Sequence, residues 1–243
     1  MENGLVLRNL ERKFGGVVAV KDLTFSVEAG SRVGIIGPNG AGKTTTFNMI
    51  SGVLKPTAGS VEFEGEQIGG LKSHQISKRG IGRTFQIVRV FGGLSVYEHV
   101  LTGVIARKLS FAPNVEQEQE VESILELIGL AKFRDVAAAN LTVAAKKRLE
   151  LATVLATKPK LLLLDELMAG LTFVEIDECM ELLRKLNEEI GITLIVVEHV
   201  MKAIMELCEI IIVLDYGEKI AEGSPREVAN NKRVIEAYLG TEA

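Results

Sequence analysis

The sequence predicts an α/β fold: a mainly parallel, buried sheet, an antiparallel β layer from the N-terminal part, and an inserted α-helical subdomain. Short apolar runs at 33–36, 161–164, 194–197 and 210–214 are separated by helix-length stretches, the pattern of strands covered on both faces. Between 5 and 27 the chain alternates in places, as in Leu23, Thr24, Phe25, Ser26 and Val27, which suits an antiparallel sheet with one solvated face. Between 95 and 156 the spacing is helical, in Val121, Ile124, Leu125, Leu127 and Ile128 and again in Leu149, Leu151, Val154 and Leu155.

A chain of 243 residues suits one large domain. Residues 1–86 and 158–243 form its core with the β layer, and 87–157 form the helical subdomain. The balance of 47% hydrophobic and 25% charged residues is globular, and a formal net charge of −4 gives no support to a nucleic-acid surface. No apolar run approaches the roughly twenty residues that span a bilayer. The start, Met1-Glu2-Asn3-Gly4, shows no secretory pattern. Cys179 and Cys208 fall in helix-like segments without C-x-x-C spacing and read as packed, reduced thiols in a cytosolic protein.

Taken in order, the first strands lie within 5–27, and Ser60, Val61, Glu62 and Phe63 repeat their character beside the loop that follows the strand at 33–36. Phe14 precedes Gly15-Gly16 on a softened turn, where an aromatic stacks on a base; read alone, core packing is the commoner role. The stretch Gly37-Pro38-Asn39-Gly40-Ala41-Gly42-Lys43-Thr44 then reads as a phosphate-binding loop between a strand and a helix. Its glycines lack Cβ, so backbone N–H groups converge on phosphate oxygens, and a helix starting near Lys43 adds the positive end of its dipole. The nucleotide contacts expected here are Gly37, Asn39, Gly40, Ala41, Gly42, Lys43, Thr44 and Thr45, with Lys43 on the β- and γ-phosphates and Thr44 on Mg²⁺. An accidental match of its four fixed positions arises in roughly one chain of this length in a hundred.

The acidic run 116–122 reads as a solvated helix start, because nothing converges its carboxylates on a metal. Ligands of parallel sheets bind at the carboxyl edge, and two strands end there in polar residues: Asp165-Glu166 and Glu198-His199. Asp165 holds Mg²⁺ through water, Glu166 polarises the attacking water, and His199 contacts the γ-phosphate and orients that water. Alone, His199 reads equally as a core histidine; His74 and His99 are left as structural.

The succession of Phe14, the loop at 37–44, Gln86 in Arg83-Thr84-Phe85-Gln86, the run 161–166, Ala169-Gly170-Leu171 and His199 resembles the ATP-binding subunits of ABC transporters over essentially the whole chain. The resemblance implies a P-loop NTPase core of RecA type, Phe14 on adenine, and Gln86 sensing Mg²⁺ and the γ-phosphate while touching a membrane permease. It also implies two subunits, identical or paralogous, sandwiching two ATP molecules. Residues 47–52, 91–100 and 233–240 look like the branched-chain amino-acid importers, with the lipopolysaccharide-export ATPase and a weakly hydrolysing regulatory subunit as alternatives. An importer implies a solute-binding protein as an indirect partner and a place on the cytoplasmic face of the inner membrane.

Where the family has Leu-Ser-Gly-Gly-Gln or Leu-Ser-Tyr-Gly-Gln, this chain has Leu141-Thr142-Val143-Ala144-Ala145. Thr142 keeps a hydroxyl for the partner's γ-phosphate, Ala144 adds a Cβ, and Ala145 lacks a polar group. Leu167 replaces the usual proline, and Thr172 the usual asparagine or aspartate. The permease is expected to dock between Gln86 and Val100, on Val88, Val90, Phe91, Leu94 and Tyr97.

Overall fold

The computed structural model describes residues 3–86, 90–108 and 114–239. The chain opens with β1 (Asn3–Phe14) and β2 (Val17–Glu28), antiparallel neighbours that turn at Gly15 and Gly16. β3 (Arg32–Ile36) leads through the glycine-rich loop into α1 (Lys43–Ile50), after which β4 (Ala58–Phe63) and β5 (Glu66–Gln67) rejoin the first layer. α2 (Ser73–Ser77) and β6 (Ile81–Arg83) precede the helices α3 (Val96–Lys108), α4 (Val115–Ile128) and α5 (Val143–Leu155). Strands and helices then alternate through β7 (Leu161–Asp165), α6 (Phe173–Glu188), β8 (Thr193–Val197), α7 (Met201–Leu207) and β9 (Ile210–Asp215). β10 (Glu218–Gly223), α8 (Pro225–Ala229) and α9 (Lys232–Leu239) follow.

Among the described residues the strands form two sheets, one in the order β2-β1-β4-β5 and the other β10-β9-β3-β8-β7-β6. In the second, β9, β3, β8, β7 and β6 run parallel and β10 pairs antiparallel at the edge. The four apolar runs are therefore its central strands, as expected. β6 and β10 were not legible, because one has three residues and the other is largely polar.

The runs are continuous because both faces are covered. Leu161, Leu163, Ile195, Val197, Ile212 and Leu214 pack toward α1 and the antiparallel layer. Leu162, Leu164, Leu194, Val196, Ile211 and Val213 pack into the second core, built with α3, α4, α5 and α6. The order β3-β8-β7-β6 also has a functional consequence: the glycine-rich loop, Glu198-His199, Asp165-Glu166 and the Arg83–Gln86 run leave adjacent strands at one edge.

α4 is closed by a reciprocal cap between Asn114 and Gln117, and its acidic start is paired outward, Glu120 with Arg107 and Glu122 with Arg134. Both cysteines are buried, their thiols pushed up to about 12 by burial, though Cys208 caps α7 instead of lying inside a helix. Among the described residues no helix is long and apolar enough to cross a membrane.

Candidate functional site

Backbone approach dictates the loop. A Cβ on Gly37 would lie 2.1 Å from the Leu214 carbonyl oxygen, and one on Gly42, at φ 98°, would lie 2.7 Å from that of Ala19. The loop is thereby wedged between the end of β9 and the start of β2. α1 begins on Gly42, with no side chain capping it, so its first amides face outward as an anion site. Lys43 is buried beside them and its Nζ donates to the carbonyls of Gly37 (2.7 Å) and Pro38 (2.9 Å). Burial lowers its pKa, and the carboxylates of Glu166 and Asp165 oppose that shift. Asn39, Gly40 and Thr44 are exposed, Thr45 is half-buried, and the buried Ala41 donates its N–H to the Pro38 carbonyl at 3.2 Å.

Glu166 follows the last residue of β7 with φ 53°, a left-handed conformation that aims its side chain away from Asp165. Gln86 Nε2 donates to Glu166 Oε2 at 2.8 Å, and His199 Nε2 lies 3.1 Å from Glu166 Oε1. Three residues chosen from separate stretches thus form one hydrogen-bonded group. Asp165 is turned the other way: its Oδ2 accepts from Arg83 at 2.8 Å, and its N–H donates to Thr84 Oγ1 at 3.3 Å. Burial raises the Asp165 pKa, with Arg83 opposing, and its buried Oδ1 has no partner among the described residues.

Arg83 was missed as a functional residue. It also donates to Asn48 Oδ1 and Ser51 Oγ, tying α1 to the end of β7. The available signal was its place three residues before Gln86; its strand, β6, was too short to be seen. Glu198 differs from the expectation of a polar strand end. It is buried, accepts the Met168 N–H at 2.6 Å, and burial pushes its carboxyl up to about 7.

The remaining expectations fare unevenly. Phe14 is 43% exposed, with the Arg12 guanidinium 4.5 Å above its ring, so core packing is corrected. Thr142 is the N-cap of α5, its hydroxyl accepting the Ala145 N–H at 3.3 Å; Ala144 is half-buried and Ala145 buried. Thr172 caps α6 reciprocally with Glu175, and Leu167 is buried. The expected docking surface is corrected in part. Val90 and Tyr97 pack against the helical core and Leu94 is half-buried, leaving Phe91 exposed, while Val88 lies outside the described residues. Gly240, in the importer-like tail, lies outside them too.

A family model described as ABC transporter matches residues 20–169, which include the loop, Gln86, the signature segment and Glu166. The chain belongs to the ABC transporter family. A second model, described as branched-chain amino acid ATP-binding cassette transporter, matches residues 218–243. This ABC ATPase is similar to the high-affinity branched-chain amino acid transport ATP-binding protein BraF of Pseudomonas aeruginosa, 37% identical over 248 residues that cover 97% of each chain. It is less similar to the lipopolysaccharide export system ATP-binding protein LptB of Haemophilus influenzae, 31% identical with 97% of each chain covered. A crystal structure of an ABC transporter's ATP-binding cassette in its ADP conformation superposes with a TM-score of 0.90 at 29% identity, covering 99% of this chain and 100% of that one.

Proposed function

We propose that this ABC ATPase binds ATP·Mg²⁺ at the carboxyl edge of β3, β7 and β8 and hydrolyses it there to drive branched-chain amino-acid import through a separate membrane permease. The observation that carries the site is Glu166 held between Gln86 and His199, beside the loop with the buried Lys43. Lys43 exchanges its bonds to the loop carbonyls for phosphate oxygens, joined by the outward amides of Gly40, Gly42, Thr44 and Thr45. Phe14, exposed on its turn, offers a face to the base. Glu166 takes the proton of the attacking water, and His199 orients that water against the γ-phosphate.

A hard cation fits here, because Asp165 keeps one buried oxygen without a donor and Thr44 and Gln86 supply further oxygens. Bound Mg²⁺ neutralises charge on the phosphate oxygens.

A second ABC subunit, identical or paralogous, places its own 142–145 segment over this site, and the permease docks near Gln86 and Phe91 on the cytoplasmic face of the membrane. A solute-binding protein delivers the amino acid on the other side. The solute assignment rests on the BraF likeness and on the model matched at 218–243. Uptake of labelled leucine by a strain lacking this chain tests it: wild type restores uptake and Glu166→Gln does not. Normal leucine uptake without the chain, together with defective surface lipopolysaccharide, would favour the LptB-like alternative.

A further inference from the structure

The segment that carries Glu166 is gripped from beneath by one side chain. Lys147 lies on α5, two residues after Ala145, and is 6% exposed. Its Nζ donates to the carbonyls of Glu166 (3.0 Å), Leu167 (2.9 Å) and Ala169 (2.7 Å). An ammonium has three donors, and here three acceptors of one turn take them all. The same turn is held at two more places, Glu166 N–H by the Val197 carbonyl at 2.8 Å and Met168 N–H by Glu198 at 2.6 Å. Left-handed backbone at a residue with a side chain persists only where its surroundings over-determine it, and Glu166 at φ 53° is such a residue. Its carbonyl is one of the three that Lys147 binds.

We infer that Lys147 is a positioning residue for hydrolysis: from the signature helix α5 it fixes the backbone that aims Glu166. The inference rests on the reading of Glu166 as the base. Without the ammonium, the 166–167 peptide is free to leave the left-handed conformation, and the carboxylate moves relative to Gln86 and His199. Lys43 and the 37–44 loop are untouched by that change, so nucleotide affinity is preserved.

Turnover of the full chain, and its affinity for a non-hydrolysable ATP analogue by calorimetry, are measured for Lys147→Met, Lys147→Gln and Lys147→Arg. Misplacement of a reacting group by about 1 Å costs up to roughly a hundredfold, so Lys147→Met is expected to lose about 10–100-fold in kcat at unchanged affinity. Lys147→Gln, with two donors, falls between it and Lys147→Arg, which keeps charge and donors and stays nearest wild type. Equal kcat across the series, or a loss that tracks the analogue affinity, overturns the inference. If Lys147→Met does not fold, as judged by its melting curve, the other two decide: Lys147→Gln must be slower than Lys147→Arg at equal affinity. Glu166→Gln is run alongside. Wild-type turnover in that variant removes the base and this inference with it, whereas an inactive Glu166→Gln beside a fully active Lys147→Met refutes the role of Lys147 alone.

Discussion

Helices α1 and α5 follow the two segments that the sequence resemblance ties to phosphate binding, and they begin differently. α1 starts on Gly42, in the left-handed region and with no capping side chain, beside the buried ammonium of Lys43. α5 starts on Thr142, whose hydroxyl accepts the Ala145 N–H, and it presents Val143 at 60% exposure followed by Ala144. A helix terminus left open for an anion and one that partly satisfies itself are different devices. The glycine start of α1 leaves its first amides without a side-chain partner, whereas at α5 the Thr142 hydroxyl takes one of them.

The largest expected break acts beside α1. Glu166→Gln keeps the side chain's shape and removes the base, so single-turnover hydrolysis should fall by roughly 10²–10⁴-fold while ATP binding survives. Hydrolysis at the wild-type rate would exclude Glu166.

Lys43→Ala tests the comparison itself. Charge-assisted hydrogen bonds are worth about 1.5–3 kcal/mol each, so losing even one lowers ATP affinity roughly ten- to a hundredfold. Thr142→Ala in the same isolated chain should leave that affinity alone. Calorimetry showing equal losses in both variants would erase the distinction between the two helix starts.

A break of comparable size in stability lies behind the Glu166 turn. The Glu198 carboxyl, ordinarily near 4.5, is pushed up to about 7 in the fold. Between those values the folded state holds more protons than the unfolded one, so this group's contribution to stability declines as pH rises through the window. Glu198→Gln stays neutral and keeps an oxygen for the Met168 N–H. Its stability relative to wild type should therefore increase from pH 5 to pH 8, by on the order of 1–3 kcal/mol. Denaturant melts at both values check it, and a pH-independent difference would assign Glu198 an ordinary titration.

The smallest effect sharpens the α5 side. Ala144→Gly with Ala145→Gln restores one or two contacts of about 1–3 kcal/mol, and turnover of the chain alone should rise about tenfold. Added glycine loosens the helix, so the melting temperature should drop. A paralogous subunit carrying a complete signature should stimulate the unmodified chain similarly. Fast turnover by the chain alone, unimproved by either change, would refute this account.

How much was legible follows the distance over which each feature is specified. The 37–44 loop, the strand ends at Asp165 and His199 and the helical stretch of 95–156 are written in neighbouring residues. The apolar cluster at 88–97 could not be divided from sequence, because such a cluster looks the same whether it faces outward, as Phe91 does, or packs in part against the core, as Val90 and Tyr97 do. For Phe14 the residue type alone favoured core packing, and its 43% exposure on the turn overturns only that reading.

By itself the sequence determined the class of fold, the nucleotide loop and the two polar strand ends, because strand burial, glycine backbone freedom and helix periodicity act within a few residues. Only the tertiary structure decided which of those groups meet. Arg83 reaches Asp165 across 82 positions, Gln86 reaches Glu166 across 80, and His199 reaches it across 33. Those meetings depend on the order β3-β8-β7-β6, which no local pattern encodes. The same holds for Lys147 and Glu198: burying a polar or charged group requires hydrogen-bond partners, and for these two the partners come from the turn 166–169, a different part of the chain.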